Sequence, residues 1–260
     1  MPDTTEAAAP LLNMRNKYLN ILEASLTGTL LRDPPLSAAS YDPAVRHVGN
    51  DWPSHAQTMI GTLRMRNLRR LCEAAIINDV PGDFIENGVW RGGACIYMRG
   101  ILDAHDDPGR RVFVADSFRG VPPPSPETYA ADAGDILHQF DLLAVPRQQV
   151  EENLRKYGLL DERVVFLEGW FKDTLPAAPI DRLSVLRLDG DLFESTIQSL
   201  DALYHKVSPG GSVIVDDYYL TPCAQAVDEF RARHGITSAL EPIDGYAVWW
   251  RVDDETKGAL

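Results

Sequence analysis

An α/β fold with a doubly wound, mostly parallel sheet and one antiparallel edge strand is predicted by three observations. Short β-branched, aliphatic or aromatic runs recur at 84–89, 111–116, 163–168, 183–189 and 212–216. Amphipathic stretches at 93–104, 147–157, 193–206 and 222–234 alternate with them, the rhythm of parallel strands joined by crossover helices. Glycines and acids gather at the ends of these runs, where open sheets bind ligands.

Taken in order, residues 11–31 read as a helix, because Leu12, Leu19, Leu22, Leu26 and Leu30 recur at helical spacings; Pro34-Pro35 then stops it. Residues 32–54 mix Pro, Asp, Ser and Gly and read as a loop or cap. From about Ser54 an apolar stripe through Met59, Leu63, Leu68, Leu71, Cys72, Ala75 and Ile76 predicts a helix ending near Asn78, before Pro81-Gly82. The chain thus divides into an N-terminal helix and cap, 1–54, and a larger domain, 55–260. Within the latter, the helix at 193–206 carries Leu200 and Leu203 inward. GYAVWWR at 245–251 follows a short connection, 236–243, and supplies the antiparallel edge. Residues 117–146, beginning SFRGVPPPSPETY, are too long and Pro-rich for an ordinary connection, and their place after a strand end predicts a lid.

Composition narrows the function classes. A chain of 260 residues, 45% hydrophobic and 24% charged, can bury its own core and is neither disordered nor fibrous. Its formal net charge of −13 argues against nucleic acid or anionic lipid as a partner. Cys72, Cys95 and Cys223 are odd in number, far apart and without a C-x-x-C pair, so neither a disulfide framework nor a zinc site is expected, and a reducing cytoplasm fits. The start, MPDTTEAAAP, carries acids where a secretory signal carries bases, and no apolar run approaches the ~20 residues of a membrane span.

Three constellations carry chemistry. Glu86-Asn87-Gly88-Val89-Trp90-Arg91-Gly92-Gly93 is a glycine turn between a strand and a helix, but Trp90 replaces the middle glycine of the dinucleotide fingerprint and would obstruct a pyrophosphate. With Glu86 placed for an amino group and Asp116 for a ribose diol, the turn suits S-adenosylmethionine; the missing glycine and the lack of a Tyr-x-x-x-Lys pair argue against a nicotinamide oxidoreductase. Asp189 and Asp191 in LRLDGD, and Asp216 and Asp217 in SVIVDD, end two later strands; four converging carboxylates call for a hard divalent ion such as Mg²⁺, unless they cap the helices that follow. Glu168-Gly169-Trp170-Phe171 places aromatic side chains after a strand, against an adenine face or in the core. The six histidines form no metal-ligand spacing, and His138, in LHQF, is the one kept as a substrate contact.

Together YLNILEASLTGTLL, HAQTMIG, GVWRGGACI, VADSFRG, LHQF, KYGLL, EGWFKDT, LRLDGD and VIVDDY resemble the macrocin O-methyltransferase family, sugar O-methyltransferases that tailor natural products. The resemblance implies a class I methyltransferase fold, S-adenosylmethionine as donor, Mg²⁺ as an essential ion and a homo-oligomer. It places Glu86, Gly88, Val89, Trp90, Arg91 and Gly92 around the methionine part of the cofactor, Asp116 and Ser117 at the ribose, and Gly169, Trp170 and Phe171 near the adenine. It makes Asp189, Asp216 and Asp217 the metal ligands, Asp189 or Asp191 the general base, and His138, Gln139 and Tyr218 contacts to the acceptor. That acceptor is implied to be a deoxysugar hydroxyl on a glycosylated product such as a macrolide; a phenolic or catechol-type acceptor uses the same metal logic.

Overall fold

The computed structural model describes residues 4–253, with side chains from Pro10 onward; the outermost parts of the two expected segments, 1–3 and 254–260, lie outside the described residues. The strands are β1 (Asp83–Asn87), β2 (Val112–Asp116), β3 (Val164–Glu168), β4 (Leu183–Leu188), β5 (Val207–Val215), β6 (Glu241–Pro242) and β7 (Val248–Arg251). They form one sheet in the order β3-β2-β1-β4-β5-β7-β6, parallel through the first five and antiparallel from β5 to β7 and from β7 to β6. The helices are α1 (Thr4–Leu26), α2 (Pro43–His47), α3 (Gly61–Ile77), α4 (Gly93–Ala104), α5 (Arg147–Lys156), α6 (Phe171–Thr174), α7 (Phe193–Leu203) and α8 (Thr221–Arg233). Among the described residues no helix is long and apolar enough to cross a membrane.

Alternating side chains on each strand feed two cores. Phe84, Val112, Val114 and Val185 face α1, α3, α4 and α5, whereas Ile85, Phe113, Leu186 and Val213 face α7 and α8, which bring Leu200, Leu203 and Phe230 inward. Helices on both faces make the sheet doubly wound. Because β1 lies between β2 and β4, the order reverses there, and the carboxyl ends of β1 and β4 open a crevice.

Several boundaries differ from the expectation for local reasons. The N-terminal helix ends at Leu26, eight residues before Pro34: Gly28 turns left-handed at φ 73°. Arg46, fully buried, closes that end by donating to the Thr27 carbonyl at 2.7 Å and the Asp33 carbonyl at 2.9 Å while paired with Asp51 at 2.6 Å. An arginine therefore organises the cap segment from inside. The segment read as a loop or cap holds the short α2, and the helix expected from about Ser54 is α3, which starts at Gly61, where a side chain would meet the Gly49 amide at 2.4 Å and φ is +73°. β5 begins at Val207, through the Pro209-Gly210-Gly211 turn signal, with an irregular register against β4. The expected edge strand is β7, yet the two-residue β6 lies outside it, within the segment read as a connection; its Pro242, lacking an N–H, suits an outermost strand.

The 117–146 segment contains three single 3-10 turns and is tied down at several points. Buried Asp132 accepts the backbone N–H groups of Phe193 at 2.7 Å and Glu194 at 2.9 Å, supplying from the loop the cap that α7 lacks in its own sequence. The Trp90 indole donates to the Leu142 carbonyl at 2.9 Å, and Phe140 meets Trp52 edge-on at 6.0 Å.

Candidate active site

The glycine turn after β1, Asp116 at the end of β2, Gly169–Phe171 after β3, the LRLDGD acids after β4 and the paired aspartates after β5 all stand at the carboxyl edge of the sheet. Two cavities meet there, of about 380 Å³ and about 230 Å³, and share Gly88, Val121, Asp189 and Asp191. The larger is lined by Asp116, Ser117, Gly169, Trp170, Phe171 and Lys172. Into the smaller project Glu86, Val89, Trp90, Thr58, Met59, Trp52, Tyr219 and Tyr246, together with Asp189, Asp191, Asp216 and Asp217.

The turn's glycines answer to the protein itself. A Cβ on Gly88 would lie 1.8 Å from the Asp189 carbonyl, one on Gly93 2.5 Å from the Gln57 carbonyl, and one on Gly92 2.7 Å from a Val150 methyl. Trp90 holds the left-handed φ of 46° between them. Asp116 is largely engaged with the chain, accepting from the Val89 amide at 2.8 Å and the Phe118 amide at 2.7 Å, and burial raises its carboxyl above the ordinary range. Ser117 donates to the Gly120 carbonyl at 2.7 Å, shaping the cavity wall.

Carboxylate oxygens of Asp189, Asp216 and Asp217 all lie within 4.8 Å of one another. Two arginines stand among these acids. Arg187, projecting from β4 and 1% exposed, donates to Asp216 at 2.6 Å and pairs with Asp189 at 3.0 Å and Glu86 at 3.5 Å. Arg64 of α3 pairs with Asp216 and, at 3.1 Å, with Asp244, its guanidinium lying over the Tyr246 ring. Burial alone would lower the Arg187 pKa, but Asp189, Asp216 and Glu86 outweigh it and hold the group charged. The acids remain in excess: burial, and then the neighbouring carboxylates, push Asp217 well above the carboxylate range, burial does the same to Asp189 against the pull of Arg187, and burial with Asp216 and Asp135 lifts Asp191 to about 7. Glu86 is raised by burial, with Arg187 opposing, and accepts a hydrogen bond from Cys95 Sγ at 3.0 Å.

Other expected contacts stand elsewhere. Arg91 donates to the Pro53 and Ala56 carbonyls at 3.1 and 2.9 Å, bracing the cap against the glycine turn. Tyr218 donates to Asp228 at 2.8 Å on α8, while the next residue, Tyr219, lines the smaller cavity and meets Tyr246 edge-on at 4.8 Å. Leu137 and Leu143 line that cavity; His138 and Gln139, between them in sequence, do not. Sequence reasoning passed over Arg64, Arg187, Trp52 and Tyr246. For Arg187 a signal existed, as the one charged residue inside the apolar run LSVLRL; for Arg64, on a helix rich in arginine, none did.

A family model for macrocin-O-methyltransferase (TylF) matches residues 15–252. The chain belongs to the macrocin O-methyltransferase family. It is 50% identical over 259 residues to demethyldecarbamoylnovobiocin O-methyltransferase of Streptomyces niveus, covering 96% of this chain and 99% of that one. It is 48% identical over 242 residues to 8-demethyl-8-(2,3-dimethoxy-alpha-L-rhamnosyl)-tetracenomycin-C 4'-O-methyltransferase of Streptomyces olivaceus, covering 91% and 93%. Mycinamicin III 3''-O-methyltransferase of Micromonospora griseorubida is 44% identical over 242 residues, covering 90% and 95%. Among solved structures, the O-methyltransferase NovP superimposes with a TM-score of 0.90 at 52% identity, over 92% of this chain and 99% of that one. The calicheamicin methyltransferase CalS11, at 21% identity, covers 72% of this chain and 78% of that one with a TM-score of 0.58, and shares the fold. This macrocin O-methyltransferase relative is thus an O-methyltransferase of class I architecture, and the family implies S-adenosylmethionine as its methyl donor.

Proposed function

We propose that the enzyme methylates a sugar hydroxyl of a glycosylated small molecule, with a divalent cation such as Mg²⁺ held by Asp189, Asp216 and Asp217. The observation that carries this reading is the meeting of three carboxylates within 4.8 Å where the two cavities join. The donor set fits a hard cation: all its ligand atoms are carboxylate oxygens, and among the described residues five carboxylates, Glu86, Asp189, Asp191, Asp216 and Asp217, gather around two paired guanidiniums, Arg64 and Arg187. The raised carboxyl groups mark negative charge that a cation would relieve.

S-adenosylmethionine would extend across both cavities, its adenosine beside Asp116, Ser117 and Gly169–Phe171 and its amino acid end beside Glu86, Gly88, Val89 and Trp90. When bound, the sulfonium supplies the methyl group and the cation polarises the acceptor hydroxyl. We assign proton removal to Asp191, which borders both cavities and has no guanidinium partner among the described residues, whereas Asp189 is paired with Arg187. Trp52, Tyr219 and Tyr246 offer aromatic faces suited to sugar rings, and the Trp52–Phe140 and Trp90–Leu142 contacts bring the 117–146 segment over the smaller cavity, excluding water. The sugar reading rests on relatives named as a 4'-O-methyltransferase of a rhamnosyl-bearing compound and as a 3''-O-methyltransferase. Free, buried cysteines suit a reducing cytoplasm, and the exposed Leu11, Met14, Tyr18 and Ile21 on one face of α1 suit a contact between copies of the chain.

Titration of S-adenosylhomocysteine and then Mg²⁺ into wild type and into Asp216→Asn/Asp217→Asn tests the site, with a methyl-transfer screen over glycosylated macrolides and catechols. Metal heat lost in the variant and turnover confined to glycosylated acceptors are expected. Metal heat retained in the variant would remove these ligands, and turnover of catechol alone would move the acceptor to the phenolic class.

A further inference from the structure

We infer that Arg187 is a positioning residue that couples the cofactor end of the site to the cation end, so that occupancy of one weakens the other. The inference rests on the reading above, in which Glu86 meets the cofactor's ammonium group and Asp189, Asp216 and Asp217 hold the cation. Arg187 is fully enclosed in β4 and touches both halves: Asp216 at 2.6 Å and Asp189 at 3.0 Å on the cation side, Glu86 at 3.5 Å on the cofactor side. Arg187 is 1% exposed, so solvent screens these pairs little, and Arg187 together with the Arg64 paired to Asp216 cannot neutralise three carboxylates at once. Its distances show that the acids of the cation side now hold it more closely than Glu86 does.

A dication on Asp189 and Asp216 satisfies those carboxylates and repels the guanidinium, whose charge is then left to Glu86. Glu86, more fully paired, is a poorer partner for an incoming ammonium. In the opposite order, an ammonium on Glu86 leaves Arg187 to the aspartates, where it competes with the cation. Both orders give the same negative coupling, as linkage requires. Cys95, donating to Glu86 at 3.0 Å, carries no charge that could replace Arg187 in this role.

Calorimetry on the full chain tests the coupling with two ligands that differ at the group concerned. S-adenosylhomocysteine carries the ammonium but no sulfonium, so direct repulsion between sulfonium and metal is absent; 5'-methylthioadenosine lacks the amino acid end. Saturating Mg²⁺ is expected to weaken S-adenosylhomocysteine about fivefold or more, the lower range of measured couplings, and to leave methylthioadenosine within about twofold. In Arg187→Lys, whose single ammonium cannot bridge the acids, the effect on S-adenosylhomocysteine should fall to within about twofold, and Arg187→Met should behave alike. A direct repulsion between Mg²⁺ and the ligand's ammonium would survive both substitutions and would overturn the role given to Arg187. Should neither variant fold, equal Mg²⁺ effects on the two ligands in wild type would reject the inference; in Glu86→Gln, where Arg187 loses its cofactor-side carboxylate, an Mg²⁺ effect on S-adenosylhomocysteine reduced to within about twofold would uphold it, and an undiminished effect would overturn it. Binding of both ligands and metal with no coupling in wild type overturns the inference and leaves the proposed function standing. Failure of S-adenosylhomocysteine or Mg²⁺ to bind overturns both.

Discussion

At the scale of single residues, the site is governed by how few positive charges stand among many buried negative ones. Asp191 borders both cavities without an arginine partner among the described residues, and its elevation to about 7 by burial and by Asp216 and Asp135 marks it as a group able to carry a proton near neutrality. Asp191→Asn is expected to lower the rate of methyl transfer by about 10²–10⁴, the usual worth of a general base, while leaving S-adenosylhomocysteine affinity within about twofold. A parallel loss of affinity in calorimetry would assign the residue to binding instead. In LRLDGD, the pattern of an apolar strand ending in acids is readable from sequence, and it places Asp189 and Asp191 at a strand end. The partnership of Asp189 with Arg187 is not readable, because it depends on a side chain whose neighbours come from β1 and from the end of β5.

Among elements, the decisive contacts are those in which a loop completes a helix or strand distant in sequence. Asp132 lies 61 residues before Phe193 in the chain and still caps α7, the helix that follows directly on the acid loop. Asp132→Ala should cost about 0.5–2 kcal/mol in urea unfolding, as loss of a helix cap does, and should raise amide hydrogen exchange throughout 117–146. Unchanged exchange there would show that the segment is held by Trp90 and Trp52 alone. Such a cap leaves no local signature, since Asp132 sits in a Pro-rich stretch resembling any surface loop. The apolar face of α1 is a contrary case, because periodicity reveals it but cannot say which side is inward. Leu19, Leu22 and Leu26 are buried against α4, while Leu11, Met14, Tyr18 and Ile21 are exposed. If that face joins two copies, Met14→Glu/Ile21→Glu should reduce the mass found by light scattering to that of a single chain, with the unfolding midpoint of the fold itself little changed.

Over the whole molecule, ion pairs between distant parts of the chain set the response to pH. Asp161, near the start of β3, is held below the ordinary carboxylate range chiefly by hydrogen bonds from Arg99 of α4, a group whose guanidinium is almost wholly buried. A carboxylate with a lowered pKa in the folded state contributes stability that is present above its unfolded pKa of about 3.9 and is lost as the pH falls through the folded value. Thermal unfolding followed from pH 6 down to pH 2 should therefore show a steeper acid decline in wild type than in Asp161→Asn. Identical acid limbs would show that the pair contributes nothing to folding.

The alternation of apolar strands and amphipathic helices by itself determined the doubly wound sheet, its antiparallel edge and the gathering of glycines and acids at strand ends. Those features depend on backbone periodicity and on turn chemistry, which act over a few residues. Only the tertiary structure decided that Arg46 closes α1 five residues ahead of its expected end at 31, that Asp132 caps α7, that Tyr219 and not Tyr218 faces the smaller cavity, and that Arg64 and Arg187 stand among the acids. A buried charge is admitted only where partners from several elements converge on it, and that convergence exists in the folded chain alone.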